Sequence, residues 1–450
     1  MAAEREIIEM MQAAAAPGQL SLNEGAARQL RSLTESLIAA KAGACEEYGR
    51  FRAAAHRALC LPEEQLSDWL RGAVVLVTGG TGCIGSTLMA QLAGRSPGRL
   101  VSVSRGITAG RPRLPGAEYL HADIRDRQHL DALIRDIRPD VVFHVAAQRN
   151  PGLAEQEVHR TVTTNVLGTR NVLAAAGDAG VPQVVCASTG KALRPYSPDI
   201  YAASKRAAEW LASSSSAGHV RCSAARFTHV VDNSIIHQRL REWARGGLVR
   251  LHSTDIAFYI QSALESAQLL LIAGLGAVRG EFLVHAITDL GWPVSLLDLA
   301  VGVLAETGSA TPIYISGYDR GYEEIPFPGL YDPATAGDVS PLLNAFEAAR
   351  VTDAPCHMVD AFPLEMKPDP VPGKLLAALE DACAATEDPD VVRATLDELS
   401  WSLLDVTLQA APRETLARSA ALAGPHRAGL SPEHQQLLAV IRRDAGLDGS

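Results

Sequence analysis

Tyr201-x-x-x-Lys205 is the pattern in this chain that most directly suggests proton transfer. An isolated tyrosine has a pKa of about 10. To take a proton from a substrate hydroxyl near neutral pH it needs positive charge beside it, and a lysine one helical turn on lies on the same face. The pair closes the stretch STGKALRPYSPDIYAASK, which runs from Ser188 to Lys205. The hydroxyls of Ser188 and Thr189 stand where a strand is expected to end and are available to hydrogen-bond the reacting group. Lys191 adds a further proton-handling group, and Gly190 between Thr189 and Lys191 offers no side chain at all. A bare Y-x-x-x-K also arises by chance on exposed helices, so its weight comes from what precedes it.

What precedes it is a glycine loop. Val77-Thr78-Gly79-Gly80-Thr81-Gly82-Cys83-Ile84-Gly85 follows an apolar β-branched run, AVVLVTGG, and opens a helical pattern. Gly79 permits a sharp turn, Gly82 a close approach to a pyrophosphate, and Gly85 close packing of helix on strand. The free N–H groups of the helix start then face the phosphates. Gly79, Thr81, Gly82, Cys83, Ile84 and Gly85 are the expected dinucleotide contacts, the Cys83 side chain itself reading as packing. The second strand ends at Ser104-Arg105, where an acid would bind the ribose hydroxyls of NAD. Arg105, together with Arg111, instead fits the 2′-phosphate of NADP or is a solvated loop residue, so NAD and NADP both stay open. Asp123 and Ile124 after the third strand are expected at the adenine, and Ala146, Ala147 and Gln148 after the fourth on the nicotinamide side.

These residues need a scaffold in which strands and helices alternate. Strands are expected at Leu100 to Arg105, Glu118 to Asp123, DVVFHVAA, QVVCAS and Val220 to Phe227, with helices near Gln128 to Ile137, from Glu155 to Ala179 and from Tyr201. This alternation predicts an α/β fold, a doubly wound parallel Rossmann-type sheet. Residues 1–70 read as a helical N-terminal extension, 73–228 as the core of a domain spanning 71–325, and 229–325 as a smaller C-terminal substrate lobe. That lobe holds helices near Ile235 to Arg245 and Ile256 to Ala273 and a strand at EFLVHA. Residues 326–450 read as a mainly helical C-terminal extension.

The bulk numbers narrow the function classes. The 450 residues are 47% hydrophobic and 20% charged, with a formal net charge of −10. No basic stripe is present for nucleic acid or an anionic membrane surface. Seven cysteines without a C-x-x-C pair argue for reduced thiols rather than disulfides or zinc, and no His/Cys/Asp set has metal-ligand spacing. No apolar run reaches a membrane span and the N-terminus does not read as a signal peptide, so a cytoplasmic location is expected.

The motifs TGGTGCIGSTL, VVFHVAAQ, TNVLGTRNVLAAA, STGKALRPYSPDIYAASKRAAEW, RFTHVVDNS and GEFLVHAITDLGWPVSLLDLA together resemble the extended short-chain dehydrogenase/reductase superfamily. Within it they resemble the polysaccharide-biosynthesis nucleotide-sugar dehydratases and epimerases, from about Val74 to Glu324. The resemblance implies a tightly held NAD or NADP, an NDP-sugar substrate, and transient oxidation at the sugar C4 followed by dehydration or epimerisation. It implies catalytic roles for Tyr201, Lys205, Thr189, Ser188 and Lys191, cofactor contacts at Tyr201, Lys205 and Asn165, and substrate contacts at Lys191, Arg226, His229 and Asn233. A homo-oligomer is plausible on the same ground.

The chain departs from that pattern. Gly190 stands where the group has an aspartate that helps expel the C6 hydroxyl, His229 where it has an asparagine, and Ala257 where it has an arginine. Asp319-Arg320-Gly321-Tyr322-Glu323 replaces a basic element, and Glu323-Glu324 reads as a solvated turn. His144 reads as scaffold more readily than as catalyst. Arg226 is open between a phosphate contact and a structural ion pair, and His229 between packing and a sugar contact or acid/base role. Two further readings stay beside the sugar-modifying one: an oxidoreductase on a non-nucleotide substrate, and a cofactor-binding scaffold without turnover.

Overall fold

In the computed structural model, the described residues are 2–19, 21–41, 43–106, 113–216, 218–318, 338–366 and 369–447. The expectations for Arg111 and for Asp319 to Glu324 lie outside them. The chain divides into two compact units: Met1–Ala58 with Thr228–Ala263 and Leu290–Asp319, and Leu59–Phe227 with Leu264–Asp289 and Arg320–Ser450. The expected lobe is thus shared out. Leu264–Asp289, which includes the EFLVHA strand, belongs to the larger unit, and the N-terminal helices up to Ala58 form one unit with Thr228–Ala263 and Leu290–Asp319.

The larger unit is built on a nine-stranded sheet. Its first six strands are β1 (Val74–Thr78), β2 (Arg99–Ser104), β3 (Ala117–His121), β4 (Val141–His144), β5 (Gln183–Thr189) and β6 (Arg221–Phe227). The order across the sheet is Thr352–Asp353, Val359–Pro363, Leu283–Ile287, β6, β5, β4, β1, β2, β3. β1 to β6 and Leu283–Ile287 are parallel, and the two remaining strands add on antiparallel. This is a doubly wound Rossmann-type sheet, whose order reverses between β1 and β4. Val75, Leu76 and Val77 are completely buried, as a strand covered on both faces requires. Leu283–Ile287 is buried along its whole length, which explains why an apolar run without alternation joins the central sheet rather than an outlying lobe.

Two expected helices take other forms. The run Glu155 to Ala179 divides into Pro151–Gln156, Val158–Val162, a π turn at Thr163–Leu167 and Gly168–Asp178. Glu157 leaves helical geometry at φ −110° and ψ 55°, which separates the first two. The expected helix Ile256 to Ala273 starts only at Ala263, where the Asp232 carboxylate accepts the Ala263 N–H at 2.7 Å. Ahead of it, Ala257–Phe258 and Ile260–Gln261 are short strands paired with Val294–Ser295 and His229–Val230.

The C-terminal extension folds into helices Pro370–Ala385, Pro389–Ala410, Arg413–Ala423 and Pro432–Ala445. Asp369, Asp388 and Ser431 cap three of them ahead of a first-turn proline, the arrangement that best serves a helix start. Leu404, Leu408, Leu416, Leu437 and Ile441 form a core with Phe346 and Tyr196. Tyr196 belongs to the stretch between β5 and Tyr201. Its ring stacks on Trp401 at 3.9 Å and its hydroxyl donates to Asp397 at 2.8 Å. The extension is therefore built onto the loop that leads to the candidate catalytic tyrosine.

In the smaller unit, helices Glu24–Ala40 and Ala44–Ala53 pack on helix Leu296–Thr307 around Leu30, Leu37, Phe51, Leu299 and Val303. Gly302 allows the closest approach, since a Cβ there would be 2.5 Å from Tyr48 Cβ. Among the described residues no helix is long and apolar enough to cross a membrane.

Candidate active site

The glycine loop follows β1 at the point where the sheet order reverses. Gly79 has φ +75°, and a Cβ there would lie 2.8 Å from the Ala146 nitrogen, so only glycine brings this turn against the loop after β4. A Cβ on Gly85 would lie 2.1 Å from the Gly79 carbonyl oxygen, which fixes the helix directly on the turn. Helix Cys83–Ala93 starts from Gly82, which has no side chain to cap it. That uncapped start beside a glycine turn fits a dinucleotide pyrophosphate.

Around the loop, Thr81 Oγ1 and Ser104 Oγ both donate to the Gly106 carbonyl, at 3.0 and 2.8 Å. They brace the turn after β2, on which Arg105 is exposed. Asp123 is bonded by Arg125 at 2.6 Å. Burial would raise its pKa, but the Arg125 bonds outweigh that and hold the carboxyl below the usual carboxylate range. Ile124 is buried beneath Gly168, whose Cβ position lies 2.8 Å from Ile124 Cδ1.

Ala146, Ala147 and Gln148 follow β4. Asn165, on the π turn, accepts the Gln148 N–H at 2.8 Å and donates to the Gln148 carbonyl at 3.0 Å and to Ser204 Oγ at 3.1 Å. It ties the loop after β4 to the helix that carries Tyr201 (Ile200–Ser216). The π turn is the local irregularity that aims this amide. His144 is buried between Thr78 Oγ1 at 2.8 Å and Thr169 Oγ1 at 3.0 Å. Burial, and then the Lys205 charge, push its pKa down to about 3, so it is a neutral scaffold residue.

Tyr201 and Lys205 sit on the first turns of their helix, beside the end of β5. Burial pushes the Tyr201 phenol up to about 12, the Thr189 hydrogen bond works against it, Asp199 raises it and Arg149 lowers it. The buried Lys205 donates from Nζ to the Ala187 carbonyl at 2.7 Å, and burial lowers its pKa. Here the ammonium is held by a backbone carbonyl and burial dominates the phenol.

The two hydroxyls at the end of β5 part company. Thr189 Oγ1 accepts the Lys191 N–H at 3.3 Å and lowers the pKa of the Tyr201 phenol. Ser188 Oγ instead donates to Glu209 Oε1 at 2.6 Å and joins a buried charge cluster. In that cluster Arg226, with no exposed surface, donates to both Glu209 oxygens at 2.8 Å and to Glu347 at 2.6 and 2.8 Å. Arg206 adds contacts to Glu347 at 3.3 Å and to Thr407 Oγ1 at 3.1 Å. Two arginines and two glutamates leave no net charge. Burial works against the Arg226 charge, and Glu209 and Glu347 more than offset it. Of the roles open to Arg226, the structure holds the ion pair, because a guanidinium enclosed by two carboxylates and the Leu342 carbonyl is not turned to a substrate.

Lys191 Nζ lies 2.7 Å from Asp199 Oδ2. Gly190 has a steric setting: a Cβ there would be 2.7 Å from Leu342 Cδ2. Asp199, Glu209, Leu342 and Glu347 were not singled out in the sequence. Asp199, directly before a helix, carries the local signal of an N-cap, and Glu347 that of a capping box with Asn344.

His229 and Asn233 lie in the smaller unit. His229 Nε2 is 2.6 Å from Ser234 Oγ and its ring packs on Phe258 at 4.8 Å. Burial, then His237, push its pKa down to about 4, so it is neutral at physiological pH. Asn233 ends a short 3-10 turn ahead of helix Ile235–Ala244.

The family model described as polysaccharide biosynthesis protein matches residues 75–324. The chain is 29% identical over 284 residues to the probable polysaccharide biosynthesis protein EpsC of Bacillus subtilis (strain 168), covering 59% of this chain and 47% of that one. It is 32% identical over 167 residues to a UDP-N-acetylglucosamine 4,6-dehydratase (inverting) of Campylobacter jejuni, covering 35% and 49%. The chain thus spans about half the length of these curated relatives. Among solved structures, Pen from Bacillus thuringiensis superposes with a TM-score of 0.55 at 21% identity, over 66% of this chain and 87% of that one, a likeness of fold.

Proposed function

The chain belongs to the polysaccharide biosynthesis protein family, and from that premise we propose that it is an NAD(P)-dependent enzyme acting on a nucleotide sugar. The reaction is a transient oxidation at C4 followed by epimerisation or dehydration. The observation that carries the reading is the placement of Tyr201 and Lys205, whose Nζ donates to the Ala187 carbonyl of β5, in the same parallel sheet whose β1 leads into the glycine-loop helix. A dinucleotide would be held by Gly79, Thr81, Gly82, Cys83, Ile84 and Gly85, with Asp123 and Ile124 toward the adenine and Ala146, Ala147 and Gln148 toward the nicotinamide. When bound, the nicotinamide accepts a hydride from the sugar carbon and later returns it.

The chain's own residues handle protons and position. Tyr201 takes the proton of the C4 hydroxyl as the C–H bond breaks and gives it back when the ketone is reduced. Thr189 stabilises the phenolate and orients the phenol. Lys205 anchors the helix to the β5 backbone through Ala187. Lys191 handles the proton on the neighbouring carbon, which the C4 ketone makes acidic. Gly190 supplies no acid for a leaving hydroxyl, so a dehydration here draws that proton from Lys191 or from solvent.

The test is mass spectrometry of the small molecules released when the purified protein is denatured. Release of NAD+ or NADP+ is expected and identifies which one is held. A protein that releases no dinucleotide and binds none on addition contradicts the reading.

A further inference from the structure

Gly190 opens the turn Gly190–Leu193 after β5. The C-terminal extension closes the space beside that turn. Leu342 lies where a side chain at 190 would grow, and the Asn344 amide donates to the Leu193 carbonyl at 2.6 Å. The carboxylate that reaches Lys191 comes instead from the approach to the tyrosine helix, as Asp199.

Asp199 uses its two oxygens differently. Oδ1 accepts the Ala202 N–H at 2.9 Å, and the Asp199 carbonyl accepts the Ala203 N–H at 2.9 Å, so the residue caps the helix two positions before Tyr201. Oδ2 accepts from Lys191 Nζ at 2.7 Å. The Asp199 side chain is 3% exposed, while that of Lys191 is 28% exposed. A cap alone does not need a charge, because asparagine or serine caps as well as aspartate. A buried carboxylate also costs solvation energy unless its charge is used. What aspartate adds over those caps is the second oxygen on the lysine.

We propose that Asp199 is a positioning residue for proton transfer, holding the Lys191 ammonium in register with Tyr201 through one carboxylate. The inference rests on the roles proposed above for Tyr201 and Lys191. In this arrangement the helix start and the lysine move together, so the two proton-handling groups keep a fixed separation.

Asp199→Asn is the informative variant, since its remaining oxygen keeps the Ala202 bond while the anionic oxygen is lost. The first readout does not use turnover: acylation of lysines by acetic anhydride, followed by peptide mass spectrometry. Lys191 should react at least about threefold faster in Asp199→Asn than in the wild type, a loss of holding of the size expected for one charge-assisted bond. An unchanged Lys191 rate overturns the proposal. The second readout is kinetic, on a nucleotide sugar that the wild type converts. The variant should lose about tenfold in kcat with KM within about twofold, and should lose nothing further in a Lys191→Met background. Losses that add in the double variant, or a change confined to KM, overturn it. If the wild type converts no nucleotide sugar, the proposed function fails, and the labelling still decides whether Asp199 holds Lys191.

Discussion

On the cofactor side of the larger unit, the glycine loop is shaped by backbone against backbone, its own and that of the loop after β4. The tyrosine side is shaped by side chains that arrive from far away. Gly85 rests on the Gly79 carbonyl six residues earlier. Arg226 meets Glu347 across 121 residues, Tyr196 meets Asp397 across 201, and Leu342 covers Gly190. The first construction needs only glycines and the neighbouring strands of the parallel sheet. The second depends on the C-terminal extension, which begins beyond the residues matched by the family model. The glycine-loop half of the candidate site thus lies within the residues the family model matches, while the tyrosine half also draws on residues beyond them.

The largest expected effect is on the tyrosine side. Tyr201→Phe removes the proton carrier and should reduce turnover by about 10²–10⁴-fold while the protein still holds its dinucleotide, as measured by steady-state kinetics beside cofactor content. Turnover within about twofold of wild type would remove Tyr201 from the chemistry.

Next in size is the charge cluster behind it. Arg226→Met leaves Glu209 and Glu347 buried without their main partner. It should cost about 3–5 kcal/mol of stability in a denaturant titration. A loss below about 1 kcal/mol would mean that the extension does not lock the tyrosine side as described.

Gly85→Val probes the opposite side. Its Cβ cannot be placed 2.1 Å from the Gly79 carbonyl oxygen without moving the turn. Dinucleotide content should fall by about tenfold or more, with a smaller loss of stability than for Arg226→Met. Full cofactor content would break the comparison from the loop side.

The smallest expected effect sharpens the tyrosine side itself. With its phenol pushed up to about 12, Tyr201 is protonated at neutral pH, so kcat/KM should rise with pH through the alkaline range as the phenolate forms. The Thr189 hydrogen bond lowers that pKa. Thr189→Val should therefore move the rising limb to higher pH and slow the reaction at a fixed alkaline pH by about three- to tenfold. A limb that stays in place or moves to lower pH would show that Thr189 does not act on the phenol.

What was legible in the sequence follows the same division. The glycine loop, the six parallel strands and the tyrosine–lysine spacing are local patterns, and the sheet is the one they imply. The helix breaks at Glu157 and before Ala263 were hidden. The second depends on partners elsewhere, Asp232 capping Ala263 and short strands claiming the residues just ahead. The partners of Ser188 and Arg226 were hidden for a stronger reason. Glu347 reads at most as the acid of a capping box with Asn344, and only the fold brings it against two arginines. Gly190 reads as a missing acid in the sequence, and only the structure adds that Leu342 lies on it.

The most direct test of the central claim is to mix the dinucleotide-loaded protein with UDP-N-acetylglucosamine and related UDP-sugars. The sugar is followed by NMR and the nicotinamide by absorbance. The account predicts a sugar altered at C4, or at C5 and C6, with the dinucleotide returned to its oxidised form and none consumed. A loaded protein that leaves every such sugar unchanged, or that accumulates reduced dinucleotide in step with product, would contradict it.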